Sequence, residues 1–135
     1  MAKKLVLAPN GEGMGLVFHR AHEAGLKAAA EIVPVPMHVV VRANPLDDSS
    51  PVVKRYAPVL DGVCGFAWVT IHPGTSPAAR YAKKMLGVKA AYGGGTQIWV
   101  SAYNQSMTRK SAYASAFAAV LSAAGITAYA GERMD

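Results

Sequence analysis

The sequence predicts an α/β or α+β fold in which a mixed β-sheet is packed by two or three helices. Three observations support this prediction: short valine-rich segments typical of strands, longer segments with apolar residues at helical spacing, and Gly or Pro residues between them. A chain of 135 residues fits one domain, which would bury roughly two thirds of the surface of its unfolded chain. We therefore expect a single compact domain over residues 1–135.

The N-terminal part predicts a strand followed by a helix. The segment from Lys3 to Ala8 favours a short strand, closed by a Pro-Asn-Gly turn. Between Met14 and Ile32, apolar residues recur at steps of three and four and charged residues lie mostly on the other side, which is typical of an amphipathic helix. The helix should end before the prolines at 34 and 36, because proline does not continue a helix.

A second strand and an exposed loop should follow this helix. His38 to Ala43 is rich in β-branched valine and predicts a strand. Residues 44–51 contain two prolines, two aspartates and two serines, a composition that predicts an exposed loop. Val52 to Val59 shows no clear preference.

Residues 62–100 contain two uncharged runs joined by a basic and aromatic connection. The runs Gly62–Ile71 and Thr96–Val100 are typical of buried strands, in which Trp68 and Trp99 should help to fix the sheet. The connection predicts a helix after Thr75-Ser76-Pro77.

The C-terminal part predicts a strand, a helix and a further strand. Gln97 to Tyr103 is strand-like, and either Asn104 or Ser106 can cap the helix that follows. Gly125 suits the position just after that helix, and Ile126–Ala130 favours a strand. This order predicts a β-α-β-like unit with a right-handed crossover between parallel neighbours, and we expect an extended terminal tail at 131–135.

The charge balance is basic and uneven. The chain has 14 basic and 8 acidic residues, a formal net charge of +6, and residues 54–110 hold eight of the basic residues against Asp61 alone. Such an excess favours an anionic partner or an acidic protein surface. The alternative is a soluble basic surface without a dedicated ligand.

The single cysteine and the N-terminus bear on the compartment. Cys64 has no second cysteine to pair with, and its apolar neighbours favour a small buried side chain in a protein kept under reducing conditions. The apolar run after the first lysines is too short for a signal peptide, so secretion is not expected.

Residues 111–131 carry no charge and are long enough to cross a bilayer in principle. Alanine and serine dominate this segment, so the apolar driving force for insertion is weak and we expect no membrane span. A helix with a small-residue face, suited to close packing against another element or subunit, is the better interpretation.

Two short motifs suggest ligand sites, but each lacks part of the pattern that such a site needs. Gly11-Glu12-Gly13-Met14-Gly15 precedes a helix, but it lacks the Gly-x-Gly-x-x-Gly spacing of a dinucleotide-binding loop. His19, His22 and Glu23 have metal-ligand spacing on one helix, yet there is no cysteine pair or zincin motif to complete a zinc site. We expect no cofactor and no metal.

Catalysis is not expected either. Cys64 and His72 could form a nucleophile and base only if they met, but eight residues of strand span about 26 Å. The paired aspartates at 47 and 48 lie in a polar loop, where they favour turn formation. The sequence therefore predicts a protein that is not an enzyme.

Basic and aromatic residues remain as the candidate partner-binding set. Lysine and arginine neutralise phosphates and tyrosine stacks on bases, but tyrosine and arginine are also favoured in protein interfaces. The sequence leaves both kinds of partner open. The candidate residues are Arg80, Tyr81, Lys83, Lys84, Lys89, Tyr92, Arg109 and Lys110.

Several strings, spread over roughly residues 40–135, resemble small uncharacterised proteins encoded by tailed bacteriophages. They are Gly65-Phe66-Ala67-Trp68-Val69, Pro73–Tyr81, Lys83-Lys84, Tyr92-Gly93-Gly94, Ile98-Trp99-Val100, Gln105-Ser106, Arg109-Lys110 and Ala124–Ala130. No catalytic residue is carried over by this resemblance.

The resemblance implies a bacteriophage structural or assembly protein, such as a head-tail connector or tail-completion subunit. Such a virion component would be a homo-oligomer that contacts itself or other virion proteins, in the host cytoplasm during assembly and then in the virion. Ring subunits need two complementary patches, for which the segment Arg80–Lys89 and the loop Asp47-Asp48 are candidates. The alternatives are a phage nucleic-acid-binding accessory protein and an inhibitor that binds a host protein.

Overall fold

Three helices and six strands make up the described parts of the chain, which in this computed structural model are residues 6–33, 40–55, 64–90, 94–103 and 106–134. The chain has the α+β fold that the sequence predicts. In chain order the elements are α1 (Met14–Glu31), β1 (Val40–Arg42), β2 (Val52–Arg55), β3 (Gly65–His72), α2 (Pro77–Leu86), β4 (Lys89–Ala90), β5 (Thr96–Trp99), α3 (Met107–Ala123) and β6 (Thr127–Met134).

The main sheet has four strands in the order β4-β5-β3-β6, and each neighbouring pair is antiparallel. The predicted mixed sheet with parallel neighbours is therefore wrong for the described strands. β5 and β6 do run in the same direction, but β3 lies between them and pairs with both. A helix that connects two strands of the same direction can leave room for one more strand between them. The local sequence of β5, α3 and β6 does not show that a third strand lies there.

Two such crossovers are interleaved. β3, α2 and β4 form one strand-helix-strand unit with β5 between its strands, and β5, α3 and β6 form the other with β3 between them. This β-α-β-β-α-β connectivity and strand order define the split β-α-β, or ferredoxin-like, arrangement. Such a sheet has one face covered by helices and another that no crossover helix covers.

The covered face of the sheet forms the core with the three helices. Ala67, Val69 and Ile71 of β3 are almost fully buried on this face, and α3 packs against both β3 and β6. α1 packs on α3, with Phe18 lying 4.9 Å from Tyr81 and 5.9 Å from Phe117 between ring centroids. The predicted amphipathic helix is confirmed, since α1 buries its apolar stripe.

Local signals fix both ends of α3. Of the two predicted caps, the Ser106 hydroxyl accepts a hydrogen bond from Arg109 N, while Asn104 lies outside the described residues. After the helix, Ile126 N donates to Leu121 O and Gly125 N donates to Ser122 O, the pattern of a Schellman motif with Gly125 at φ +90°. This turn sends the chain directly into β6.

The remaining segments differ from the predicted boundaries by a few residues. β6 continues to Met134, so residues 131–134 of the expected tail pair with β3. β1 and β2 form a separate antiparallel pair, which gives Val52 to Arg55 a strand conformation that the sequence left open. Of the predicted N-terminal strand, residues 3–5 lie outside the described part and Leu7 forms one bridge with Gly13.

Candidate interaction surfaces

The described members of the predicted basic set do not form one surface. Arg80, Lys83 and Lys84 lie on α2, whose start is fixed by the Ser76 hydroxyl, which accepts from Ala79 N. Arg80 Nε donates to Thr75 O and Lys83 Nζ donates to Gly74 O, both at 3.0 Å. Two of these cations are thus tied to the loop before their own helix, and Lys84 is exposed.

The other members of the set lie elsewhere. Tyr81 is half-buried because its ring packs on Phe18 of α1. Arg109 is half-buried in the first turn of α3. Lys89 belongs to β4, but its side chain and the whole of Tyr92 are outside what the structure describes.

Lys110 is placed in the interior instead of on a partner-binding surface, with a relative exposure of 5%. Its Nζ donates to Gly65 O at 3.2 Å and lies 5.5 Å from the centroid of the Phe66 ring. Lys110 occupies the buried stripe of α3 that continues through Ala114 and Phe117. Its spacing from these two residues was the sequence feature that indicated its burial. Its long apolar stem lets it cross the core to a backbone carbonyl.

A shallow apolar groove runs beside α2 and has a volume of about 340 Å³. We call it the α2 groove; its lining residues are Val6, Pro77, Arg80, Tyr81, Lys84 and Met85. Met85 is 59% exposed, and Arg80 and Lys84 are exposed beside it. An apolar floor thus lies next to two cations.

The loop between β1 and β2 ends in an acidic, apolar tip, formed by Leu46, Asp47 and Asp48. Leu46 is 97% exposed. The Ser49 hydroxyl and the Ser49 backbone N–H both donate to Asp47 Oδ1, and these bonds hold the pKa of Asp47 below its ordinary value. The tip therefore remains negatively charged under mildly acidic conditions.

The face of the four-stranded sheet that no described helix covers is rich in aromatic rings, and we call it the aromatic sheet face. Strand alternation and register place on it Phe66, Trp68, Thr70 and His72 of β3, Gln97 and Trp99 of β5, and Thr127, Tyr129, Gly131 and Arg133 of β6. Among these described side chains there is no aliphatic residue and no carboxylate. Glu132 has the opposite alternation, because it pairs with Ala67 of the covered face.

The rings on this face contact one another in two groups. Trp99 lies 4.9 Å from Trp68 and 5.9 Å from Phe66 between ring centroids. His72 stacks on Tyr129 at 5.4 Å with an interplanar angle of 22°. The Arg133 guanidinium lies 5.5 Å from the Phe66 centroid, which is cation–π distance.

Two glycines let rings of this face approach the backbone closely. A Cβ at Gly131 would come within 2.5 Å of the Trp68 indole, and one at Gly95 within 2.8 Å of the His72 ring. The Trp68 ring therefore lies across β6, and the His72 ring lies over the turn before β5.

The sequence predicts only that Trp68 and Trp99 help to fix the sheet, but Trp99 is 47% exposed and Tyr129 is 53% exposed. The spacing of Phe66 and Trp68, two residues apart in a strand, was the signal that both rings share one face. Tyr129 and Arg133 gave no such signal, because their place depends on the pairing of β6 with β3.

A half-open cleft of about 480 Å³ lies between α1, α2, α3 and the end of β5. His22 Nδ1 and the Tyr113 hydroxyl are 2.5 Å apart at its wall. Burial and, to a smaller extent, the neighbouring Tyr103 raise the pKa of Tyr113 to about 12. The hydroxyl therefore keeps its proton at neutral pH and is a poor acid or base for catalysis there.

The other sequence motifs bring no reactive groups together. Cys64 and His72 lie at opposite ends of β3, as expected from their separation along a strand. Within the described ranges, no three His, Cys, Asp or Glu side chains are grouped as metal ligands. In the glycine-rich turn, the Glu12 carboxylate accepts from Arg20 and Asn10, so an anion rather than an open phosphate cradle precedes α1.

None of the described helices combines the length and apolar character needed to cross a membrane.

Comparison with known proteins gave no matching family model, no matching curated protein and no matching solved structure.

Proposed function

We propose that the chain is a non-enzymatic structural or assembly protein of a tailed bacteriophage, such as a head-tail connector or tail-completion subunit. It would work through contacts with copies of itself and with other virion proteins, in the host cytoplasm and then in the virion. The resemblance of residues 40–135 to small phage proteins supports the origin. The complementarity of the α2 groove and the acidic loop tip supports the mode of action.

This complementarity is the observation that carries the proposal. The α2 groove offers an apolar floor beside Arg80 and Lys84, and the loop tip offers Leu46 beside Asp47 and Asp48. Leu46 of one copy would fill the groove of the next copy, with its aspartates facing the two cations. A contact between two different patches is heterologous, and it closes into a ring when the rotation between subunits allows.

Charge reversal at each patch tests this contact. Arg80→Glu with Lys84→Glu, or Asp47→Lys with Asp48→Lys, should weaken self-association about a hundredfold or more, because like charges then meet. All four substitutions in one chain should restore association, since the pairs are again opposite in sign. The mass in solution is measured by light scattering coupled to size exclusion.

Lys27→Glu is the matched control, because Lys27 is an exposed cation of α1 outside the groove. It should leave the mass unchanged. A wild-type chain that stays monomeric at its highest soluble concentration would overturn the self-association, as would double variants that keep the mass of the wild-type assembly. Absence of the chain from purified virions would remove the virion role.

A further inference from the structure

The aromatic sheet face differs in composition from the α2 groove on the helical side of the sheet. Exposed aliphatic side chains occur around the groove, whereas the described side chains of the aromatic sheet face include none. The face offers rings, hydroxyl and amide groups, and the cation of Arg133. A protein partner buries aliphatic and aromatic groups together, but a nucleobase needs only a ring to stack on and polar groups at its edges.

The geometry of the rings fits stacking by bases. Trp68 and His72 lie so close over Gly131 and Gly95 that a Cβ at either glycine would collide with a ring, and His72 stacks on Tyr129. Trp99 and Tyr129 are about half exposed on the flanking strands, one on each side of β3. An unpaired strand laid across the sheet would meet one ring on β5 and another on β6.

The charge on the face also fits a polyanion. Arg133 lies beside Phe66. The only described carboxylate of β6, Glu132, belongs to the opposite face of the sheet by strand alternation. The net charge of +6 adds a general attraction for phosphates. A phosphate near Arg133 would lie at the end of the face that carries Phe66 and Trp99.

We propose that the aromatic sheet face binds single-stranded nucleic acid, with bases stacked on Trp99 and Tyr129 and a phosphate paired with Arg133. Sheets with this topology and exposed aromatic residues can hold two or three bases in this way. The site is separate from the contact between α2 groove and loop tip, so it goes beyond the assembly role.

Intrinsic fluorescence gives a direct probe, because the chain has two tryptophans and both lie on this face. Titration with a 20-nucleotide oligo-dT or oligo-U strand should quench their emission. A fluorescein-labelled copy of each strand should bind in polarisation assays, and a duplex of the same length should bind more weakly. Since a duplex has no unpaired base, it cannot stack on the rings.

The variants separate stacking from general charge. Trp99→Ala and Tyr129→Ala should each weaken binding roughly five- to hundredfold, and Trp99→Phe should retain most of it. Arg133→Ala should weaken binding and reduce the slope of log affinity against log salt by about 1. Arg80→Ala is the matched arginine control and should have a smaller effect on both quantities. Thermal melts check that each variant is folded.

The proposal is overturned if wild-type protein neither quenches nor binds at low salt, or if duplex binds as tightly as single strand. It is also overturned if Arg80→Ala and Trp99→Ala lose affinity equally, which would indicate nonspecific attraction. If Trp99→Ala changes the mass of the assembly while no oligonucleotide binds, the face is a protein interface. Failure of the charge-reversal experiment on the α2 groove leaves this test unaffected.

Discussion

Lys110 illustrates how one side chain can have a structural role although its type suggests a surface role. Its buried ammonium group satisfies the Gly65 carbonyl at the start of β3 and lies 5.5 Å from the centroid of the Phe66 ring. Because Phe66 belongs to the aromatic sheet face, Lys110 connects α3 to the strand that carries those rings. Its contribution is therefore expected in folding stability.

Lys110→Ala should lower the free energy of unfolding by about 1.5–3 kcal/mol, the usual cost of removing a hydrogen bond to a charged group. Urea unfolding at neutral pH measures the change. Lys84→Ala, an exposed lysine on α2, should change it by less than about 0.5 kcal/mol. Equal losses of unfolding free energy for the two variants would show that the buried hydrogen bond of Lys110 contributes no more to stability than an exposed lysine does.

Tyr113 gives the chain a pH dependence at high pH. Its folded pKa is about 12, raised by burial and then by Tyr103, whereas the usual value is 10.0. The unfolded chain therefore loses this proton first, so the stabilisation is complete below pH 10 and is lost as pH rises towards 12. Tyr113→Phe should remove this part of the decline.

The measurement is the difference in unfolding free energy between wild type and Tyr113→Phe at several pH values between about 9 and 12. The difference should be constant at the lower end and should shift against the wild type at the upper end. Curves that stay parallel over the whole range would contradict a raised pKa. An absorbance titration of phenolate should show one late-titrating tyrosine that the variant lacks.

At the scale of elements, the turn from α3 into β6 depends on Gly125. Its φ of +90° disfavours any other residue, and a Cβ there would lie 2.9 Å from Pro9 Cβ. Gly87, which ends α2 at φ +68°, has no atom within 4 Å of such a Cβ. The two glycines thus share a positive φ, which would strain any other residue, but they differ in packing.

Gly87→Ala should cost about 1–2 kcal/mol, because an L-residue is strained at positive φ. Gly125→Ala should cost more, since the methyl group must also displace Pro9. Denaturant unfolding of the two variants gives the comparison. A smaller loss of unfolding free energy at Gly125 than at Gly87 would show that Pro9 moves away from the added methyl group without destabilising the fold.

The same scale separates what could be predicted from what could not. The helices α1 and α3 and the strand β3 follow from local periodicity and turn residues, so the sequence located them to within a few residues. The position of β3 between β5 and β6 depends on pairing between distant segments, which periodicity does not encode. The candidate surfaces follow the same rule: Arg80 and Lys84 were found from helical spacing, but the burial of Lys110 and the place of Tyr129 required the fold.

For the whole molecule, the two candidate surfaces lie on different sides of one sheet. The α2 groove belongs to the helical layer, and the aromatic sheet face lies on the other side of β3 and β5. A subunit could therefore keep a protein neighbour and a nucleic-acid strand bound at the same time. The separation also allows each surface to be altered without repacking the other.

The position of β3 has a consequence for the order of events during translation. β3 pairs along its whole length with β6, yet it leaves the ribosome before α2, β4, β5 and α3. Until β6 emerges, one edge of β3 has no partner from the main sheet, and its uncharged sequence is available to other chains. The nascent polypeptide is therefore prone to aggregation until β6, its last described strand, has been synthesised and can pair with β3.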